Sequence, residues 1–280
     1  MGVIEWAKSP WGQDVPIHIS FLLLWVSAIG GLLFLIVHAI WARYFAKAEQ
    51  YAESSGPAPH HVPEEIKRHS LGARLFHWIM AAAMLALLIT AFLPKVGVQF
   101  AWVTYHWIAG IVLTVSILYH VIHATFWLDF WSIWPDKVDL EDASRRWKRA
   151  TGKQAPPPRR FAKYPLENKM YHGVIVLAGL AAILTGVFMM FRVRTPIFPR
   201  NPYLFGDMTW GLMYVLHGLA GVGLIALVMV HVYFAIRPEK LVITRSMIVG
   251  TLRREHYLEH HDPERWAAET VSSQNRSMTA

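Results

Sequence analysis

The chain has 280 residues and no cysteine. That absence excludes c-type haem attachment, cysteine-ligated iron–sulfur clusters and any internal disulfide. Charge is also scarce: Asp, Glu, Lys and Arg make up 16% of residues, against 54% hydrophobic. With a mean hydropathy of +0.30, the composition is that of a membrane protein. Residues 1–16 carry Lys8, Glu5 and Asp14 and show no small-residue cleavage pattern, so no cleavable signal is expected. Position six is Trp6 rather than Ser or Thr, which argues against myristoylation.

Five apolar stretches are long enough, or nearly so, to cross a bilayer: roughly 18–42, 75–94, 102–127, 172–191 and 211–236. The formal charge of +8 follows the connections between them, which argues for topology and against a nucleic-acid partner. Lys and Arg number five in 43–74, ten in 129–170 and seven from Arg237 onward, while the other side carries only Lys8, Lys95, Arg192, Arg194 and Arg200. The basic side is expected to be cytoplasmic, which leaves the N-terminus periplasmic and the C-terminus cytoplasmic in a bacterial inner membrane. The 13 Trp suit interface belts and cofactor packing.

Histidines then stand out inside the apolar stretches. His217 and His231 are fourteen residues apart in the fifth span, within about 40° of one helix face and roughly 21 Å apart along its axis. His106 and His120 repeat that spacing in the third span. Polar rings in a transmembrane segment mark function by default. Two on one face, towards opposite sides of the bilayer, suit axial ligands of two stacked haems. Following the chain back and forth places His106 and His217 near the outside, and His77 and His231 near the inside. Neutral imidazole is a good iron ligand, and two of them make a low-spin haem with no open position. His106-Trp-Ile-Ala109-Gly110 and His217-Gly-Leu-Ala220-Gly221 share the form His-x-x-Ala-Gly. Gly110 and Gly221, each preceded by Ala, clear a helix turn for a flat macrocycle; close helix packing is the alternative use of such residues. By spacing alone His120 competes with His77 as the partner at the inner depth. A His106/His120 plus His217/His231 scheme corresponds to the two-helix arrangement of the cytochrome b of bc complexes.

An ordered set of motifs carries a resemblance. Arg74-Leu-Phe-His77-Trp78 opens the second span, and Tyr105-His106-x-x-x-Gly110 opens the third. Lys163-Tyr164…Lys169-Met170, Leu216-His217…His231-Val-Tyr233, Met247…Gly250 and His260-His261-x-Pro263-x-Arg265-Trp266 follow. Over about residues 66–266 the chain resembles the gamma subunits of membrane formate dehydrogenases and the cytochrome b subunits of nickel–iron hydrogenases and related molybdoenzymes. The resemblance implies an all-α integral membrane protein: a four-helix bundle holding two b-type haems, here with an extra N-terminal transmembrane helix. It divides the chain into 1–66 (that helix and a linker), 67–255 (the di-haem bundle) and 256–280 (a cytoplasmic tail). It implies that His77 and His231 ligate a cytoplasmic haem, and that His106 and His217 ligate a periplasmic one. Arg74 is a candidate partner for a haem propionate, with anchoring at the membrane edge as the alternative.

The resemblance also implies partners: an iron–sulfur subunit bound to a large molybdenum or tungsten catalytic subunit, meeting the outer haem. Membrane quinone is the exchangeable substrate at the inner one. Complexes with such cytochromes act on formate, hydrogen, thiosulfate and other oxyanions. Candidate quinone residues lie where the loop 128–170 enters the fourth span: Lys163, Tyr164, Asn168, Lys169, Tyr171 and His172, with Glu167 or His172 placed to relay a proton. The stretch Pro165-Leu166-Glu167-Asn168 departs from the Asn and Gly of the formate dehydrogenase type. Headgroup anchoring is the alternative for Lys163 and Lys169.

The remaining histidines suit blander roles. His120 and His123 are expected to be structural residues at a polar inner cavity. His38 reads as a packed residue of the first span, His18 as a headgroup neighbour, and His60 and His61 as solvated. The loop with Arg145-Arg146-Trp147-Lys148-Arg149 and Pro156-Pro157-Pro158 reads as a solvated segment near anionic headgroups, and the tail after Glu255 as polar and peripheral. His256-x-x-x-His260-His261 suggests a rival class, the membrane di-iron desaturases and hydroxylases. That chemistry needs several such boxes, and only this one is convincing here. A structural anchor without redox function is the remaining alternative, and periodic histidines in apolar segments argue against it.

Overall fold

The computed structural model describes residues 2–45, 51–52 and 62–267; His60, His61 and the Ser/Gln/Asn-rich end lie outside them. It is mostly helical, with five helices long and apolar enough to span a membrane: Leu22–Tyr44, Leu71–Val96, Trp102–Trp127, Leu166–Arg192 and Asp207–Ile236. Most of the large side chains along them are exposed, the surface that lipid covers rather than water. The first starts later than the hydropathy suggests because Val15 to Ile19 belongs to a strand. The fourth starts earlier, since α5 takes in Asn168, Lys169 and His172.

The elements run β1 (Ile4–Lys8), β2 (Asp14–Ile19), α1 (Leu22–Tyr44), β3 (Glu65–Lys67), α2 (Leu71–Phe92), α3 (Trp102–Trp127), α4 (Lys137–Ala150), α5 (Leu166–Met189), α6 (Asp207–Ile236), α7 (Leu241–Val249), β4 (Thr251–Arg253) and α8 (Arg254–His260). They form two interleaved units, Met1–Phe45 with His77–Tyr119 and Val174–Phe234, and Ala46–Phe76 with His120–Gly173 and Ala235–Ala280. This division by packing differs from the sequential one, because α2, α3, α5 and α6 each contribute to both units.

In the first unit, the antiparallel hairpin β1–β2 lies on α6. A Cβ at Gly211 would stand 1.9 Å from the Pro16 carbonyl oxygen, so that approach admits glycine only. Neighbouring Trp210 is buried and donates from its indole to the Pro202 carbonyl at 2.9 Å. The extra helix α1 runs against α6 as well: Ser27 donates to the Val222 carbonyl at 2.7 Å, and Met229 sits over Gly31. His38 closes this seam, 3.0 Å from the Tyr233 hydroxyl and edge-on to Phe234. It is therefore a packed residue. His18 is exposed on β2, 3.5 Å from Glu5.

In the second unit, β3 pairs with β4 and places Ile66 opposite Leu252. Val62, Ile66, Leu252 and Tyr257 form a small core, with Trp266 against it. The segment after Glu255 is thus not peripheral up to Trp266: Tyr257 and His261 are buried. His261 Nδ1 donates to the Ala162 carbonyl at 2.7 Å, and Arg68 donates to its Nε2 at 3.3 Å. Burial and then the Arg68 charge push His261 down to about 3. The basic run lies on α4, a folded helix rather than a solvated loop. Its capping box is reciprocal, Asp139 N–H to Asp136 at 2.8 Å and Asp136 N–H to Asp139 at 3.1 Å.

Candidate functional site

The first unit brings four of the predicted histidines together in two pairs. His77 of α2 faces His231 of α6, with ring centres 6.2 Å apart and planes at 55°. His106 of α3 faces His217 of α6, also at 6.2 Å, with planes at 71°. The spacing has a chemical meaning. Two metal–imidazole bonds of about 2 Å, plus roughly 1 Å from each nitrogen to its ring centre, put the centroids about 6 Å apart. Each pair therefore has the separation at which two imidazoles share one metal ion between them.

The His106–His217 pair is held from behind. Thr90 of α2 lies 2.8 Å from His106 Nδ1, and Thr185 of α5 lies 3.0 Å from His217 Nδ1. His217 Nδ1 is also 3.1 Å from the Ala182 carbonyl. Beside it, a Cβ at Gly186 would come within 3.2 Å of His217 Cε1, so the ring occupies the place a side chain would take. Ala109 and Ala220 are buried, whereas a Cβ at Gly221 would meet nothing within 4 Å and one at Gly110 only Leu87 at 3.9 Å. Thr90, Thr185 and Gly186 escaped the sequence reading. Their only signal was a lone threonine towards the end of each of two long helices.

His120 belongs to the second unit. Its ring stacks on Phe76 at 4.1 Å and 6°, and it shares its surroundings with His123 and His172. His172 meets Trp134 edge-on at 6.3 Å. The buried Nδ1 atoms of His120 and His172 have no hydrogen-bond partner among the described residues. The other residues around the fourth-span entrance face different surroundings. Tyr164 is half-buried beneath Arg68 and Lys163, and desolvation pushes its phenol up. Lys163 offers its carbonyl to Arg68 at 3.3 Å. Asn168 is exposed on the first turn of α5. Lys169 is 3% exposed and bonds Asp139 at 2.6 Å, a buried ion pair instead of a headgroup anchor. Arg74 donates to the Ile248 carbonyl at the end of α7 and abuts Gly250.

His256 and His260 stack at 4.3 Å, while His261 is turned to Ala162 and Arg68. Among the described residues, no three His, Cys, Asp or Glu side chains are grouped to hold a metal ion in the manner of a di-iron box.

Comparison with known proteins gives one family match: the profile described as prokaryotic cytochrome b561 aligns with residues 68–250. No curated protein matches the chain significantly.

Proposed function

The chain belongs to the prokaryotic cytochrome b561 family, and from that premise we propose that it is the two-haem, quinone-reactive subunit of a periplasmic oxidoreductase complex. Membership makes it a multi-pass membrane protein of the b-type cytochrome class, which binds b-type haem and carries electrons. The finer reading rests on one observation, the two imidazole pairs at 6.2 Å on shared α6. His77 with His231 and His106 with His217 would each hold one iron, and the haem supplies one-electron chemistry when bound. The chain's own part would be to hold the four rings in these two facing pairs, so that each pair could bind one iron between them.

The residues of the second unit suit a quinone. A quinone presents two carbonyl acceptors and takes up protons on reduction. Unpartnered ring nitrogens of His120 and His172 are matching donors. With no cysteine, the chain depends on a partner's iron–sulfur clusters for electrons. That partner is of the formate dehydrogenase kind, with a hydrogenase or an oxyanion reductase as the alternative.

A pyridine haemochrome assay on the purified subunit should return two b haems per chain, and the native ferric spectrum should be low-spin. His172→Ala and Asn168→Ala should slow quinone turnover while both haems still reduce. One haem per chain, or normal quinone turnover in both variants, would overturn this reading.

Orientation follows from the excess of Lys and Arg in 43–74, 129–170 and beyond Arg237. A reporter fused after Ala280 should read cytoplasmic, and one fused at the N-terminus periplasmic. The opposite pattern would place quinone chemistry on the other side.

A further inference from the structure

Two buried threonines stand in matching relations to the outer histidines. Thr90 is 5% exposed and Thr185 is 9% exposed. Each hydroxyl gives its proton to its own helix, Thr90 to the Ala86 carbonyl at 2.7 Å and Thr185 to the Ala181 carbonyl at 2.6 Å. A hydroxyl whose proton is committed in this way can only accept from a third group. The third group is the imidazole Nδ1, 2.8 Å away in His106 and 3.0 Å away in His217. Nδ1 must then carry the hydrogen. For His217 the Ala182 carbonyl at 3.1 Å makes the same demand independently, because a carbonyl is never a donor.

A ring protonated at Nδ1 has its lone pair on Nε2, the nitrogen that can face a metal. We propose that Thr90 and Thr185 are positioning residues which hold His106 and His217 in the metal-binding tautomer and strengthen them as electron donors to the iron. The inference rests on the proposed ligation by these two histidines. Donating the Nδ1 hydrogen to an acceptor raises the basicity of the ligating nitrogen. A more basic pair of ligands favours ferric iron, so the two threonines lower the reduction potential of the outer haem and leave the inner one alone. Gly186 completes the arrangement by leaving space for the His217 ring.

Redox titration followed by optical and electron paramagnetic resonance spectra tests this. Thr90→Val and Thr185→Val keep the shape and remove the hydroxyl acceptor; His217 keeps the Ala182 carbonyl at 3.1 Å, so the Thr185 variant should give the smaller shift. Each should raise the midpoint potential of one haem, leave the other unmoved, and shift the low-spin ferric signal of the same haem. Thr→Ser at either position should restore both properties. Loss of a single haem in the Val variant with retention in the Ser variant supports the proposal equally. Unchanged potentials, equal shifts of both haems, or identical behaviour of Val and Ser variants would overturn it. The underlying ligation is scored separately: His106→Ala and His217→Ala that retain both haems sink the ligand assignment, whatever the threonines do.

Discussion

His77→Ala is expected to remove one of two haems and leave the other with its native spectrum and potential, while His120→Ala keeps both. The expectation rests on which rings face each other. His77 stands 6.2 Å from His231, the distance at which two imidazoles share an iron. His120 instead has its face covered by Phe76 at 4.1 Å in a parallel stack. The measurement is haem content by pyridine haemochrome with a redox titration of whatever remains. His77→Ala should halve the haem absorbance and abolish one of two redox steps. If His120→Ala loses a haem and His77→Ala does not, the two-helix arrangement of the bc type is correct and the α2 ligand is wrong.

The next largest effect is expected at the buried ion pair of the second unit. Lys169 and Asp139 side chains are 2% and 6% exposed and meet at 2.6 Å. Arg265 adds a second cation to Asp139 at 2.9 Å, and Asp136 lies 4.0 Å from Lys169. Asp139→Ala leaves the Lys169 ammonium buried with only that distant carboxylate. Stranding one member of a buried pair costs about 3–5 kcal/mol. Loss of the Asp139 half of the capping box, the bond from the Asp136 N–H, adds about 1 kcal/mol, while the Asp136 cap itself remains. The double variant Asp139→Leu, Lys169→Met should recover everything except that bond, since a buried pair replaced by apolar groups is close to neutral. Hydrogen exchange of α4 and of residues 251–266 reads the effect locally. Equal destabilisation by the single and double variants would show that the pair is not what holds these segments.

Acid should loosen the same region in two stages. The folded His261 is pushed down to about 3 from its ordinary 6.5, by burial first and then by Arg68, His256 and His260. Unfolding therefore takes up a proton that the native state refuses, and stability falls as pH drops below 6.5 towards about 3. Burial alone would raise Asp139, but hydrogen bonds from Lys169, the Asp136 backbone and Arg265 leave it below its ordinary 3.8. Its contribution is present above 3.8 and disappears only in stronger acid. Protection factors in 256–266, taken against the slower intrinsic exchange of acid solution, should fall between pH 7 and 5, before those of α4 do.

Much of this protein follows from one-dimensional pattern. Five spans are legible because a bilayer demands runs of apolar residues whatever lies beside them. The four paired histidines are legible because helical periodicity turns sequence distance into depth and face. Local chemistry also marked the room beside two of them, as Gly110 and Gly221. What the pattern could not contain is anything set by one helix against another. Spacing left His77 and His120 level as partners of His231; packing placed His77 across from it and gave His120 to Phe76. Thr90 and Thr185 are 16 and 32 residues from the rings they touch, and no periodicity relates residues on different helices. Lys169 read as a quinone residue, with a headgroup anchor as the alternative, because basic side chains near a membrane edge usually reach for headgroups or ligands there. Only the fold brings Asp139 and Arg265 to it and makes burial of the charge tolerable. The C-terminal segment read as polar because its histidines and acids outnumber Tyr257 and Trp266. A core of four buried residues contributed by separate segments outweighs that local composition, and such a core exists only once β3 and β4 have paired.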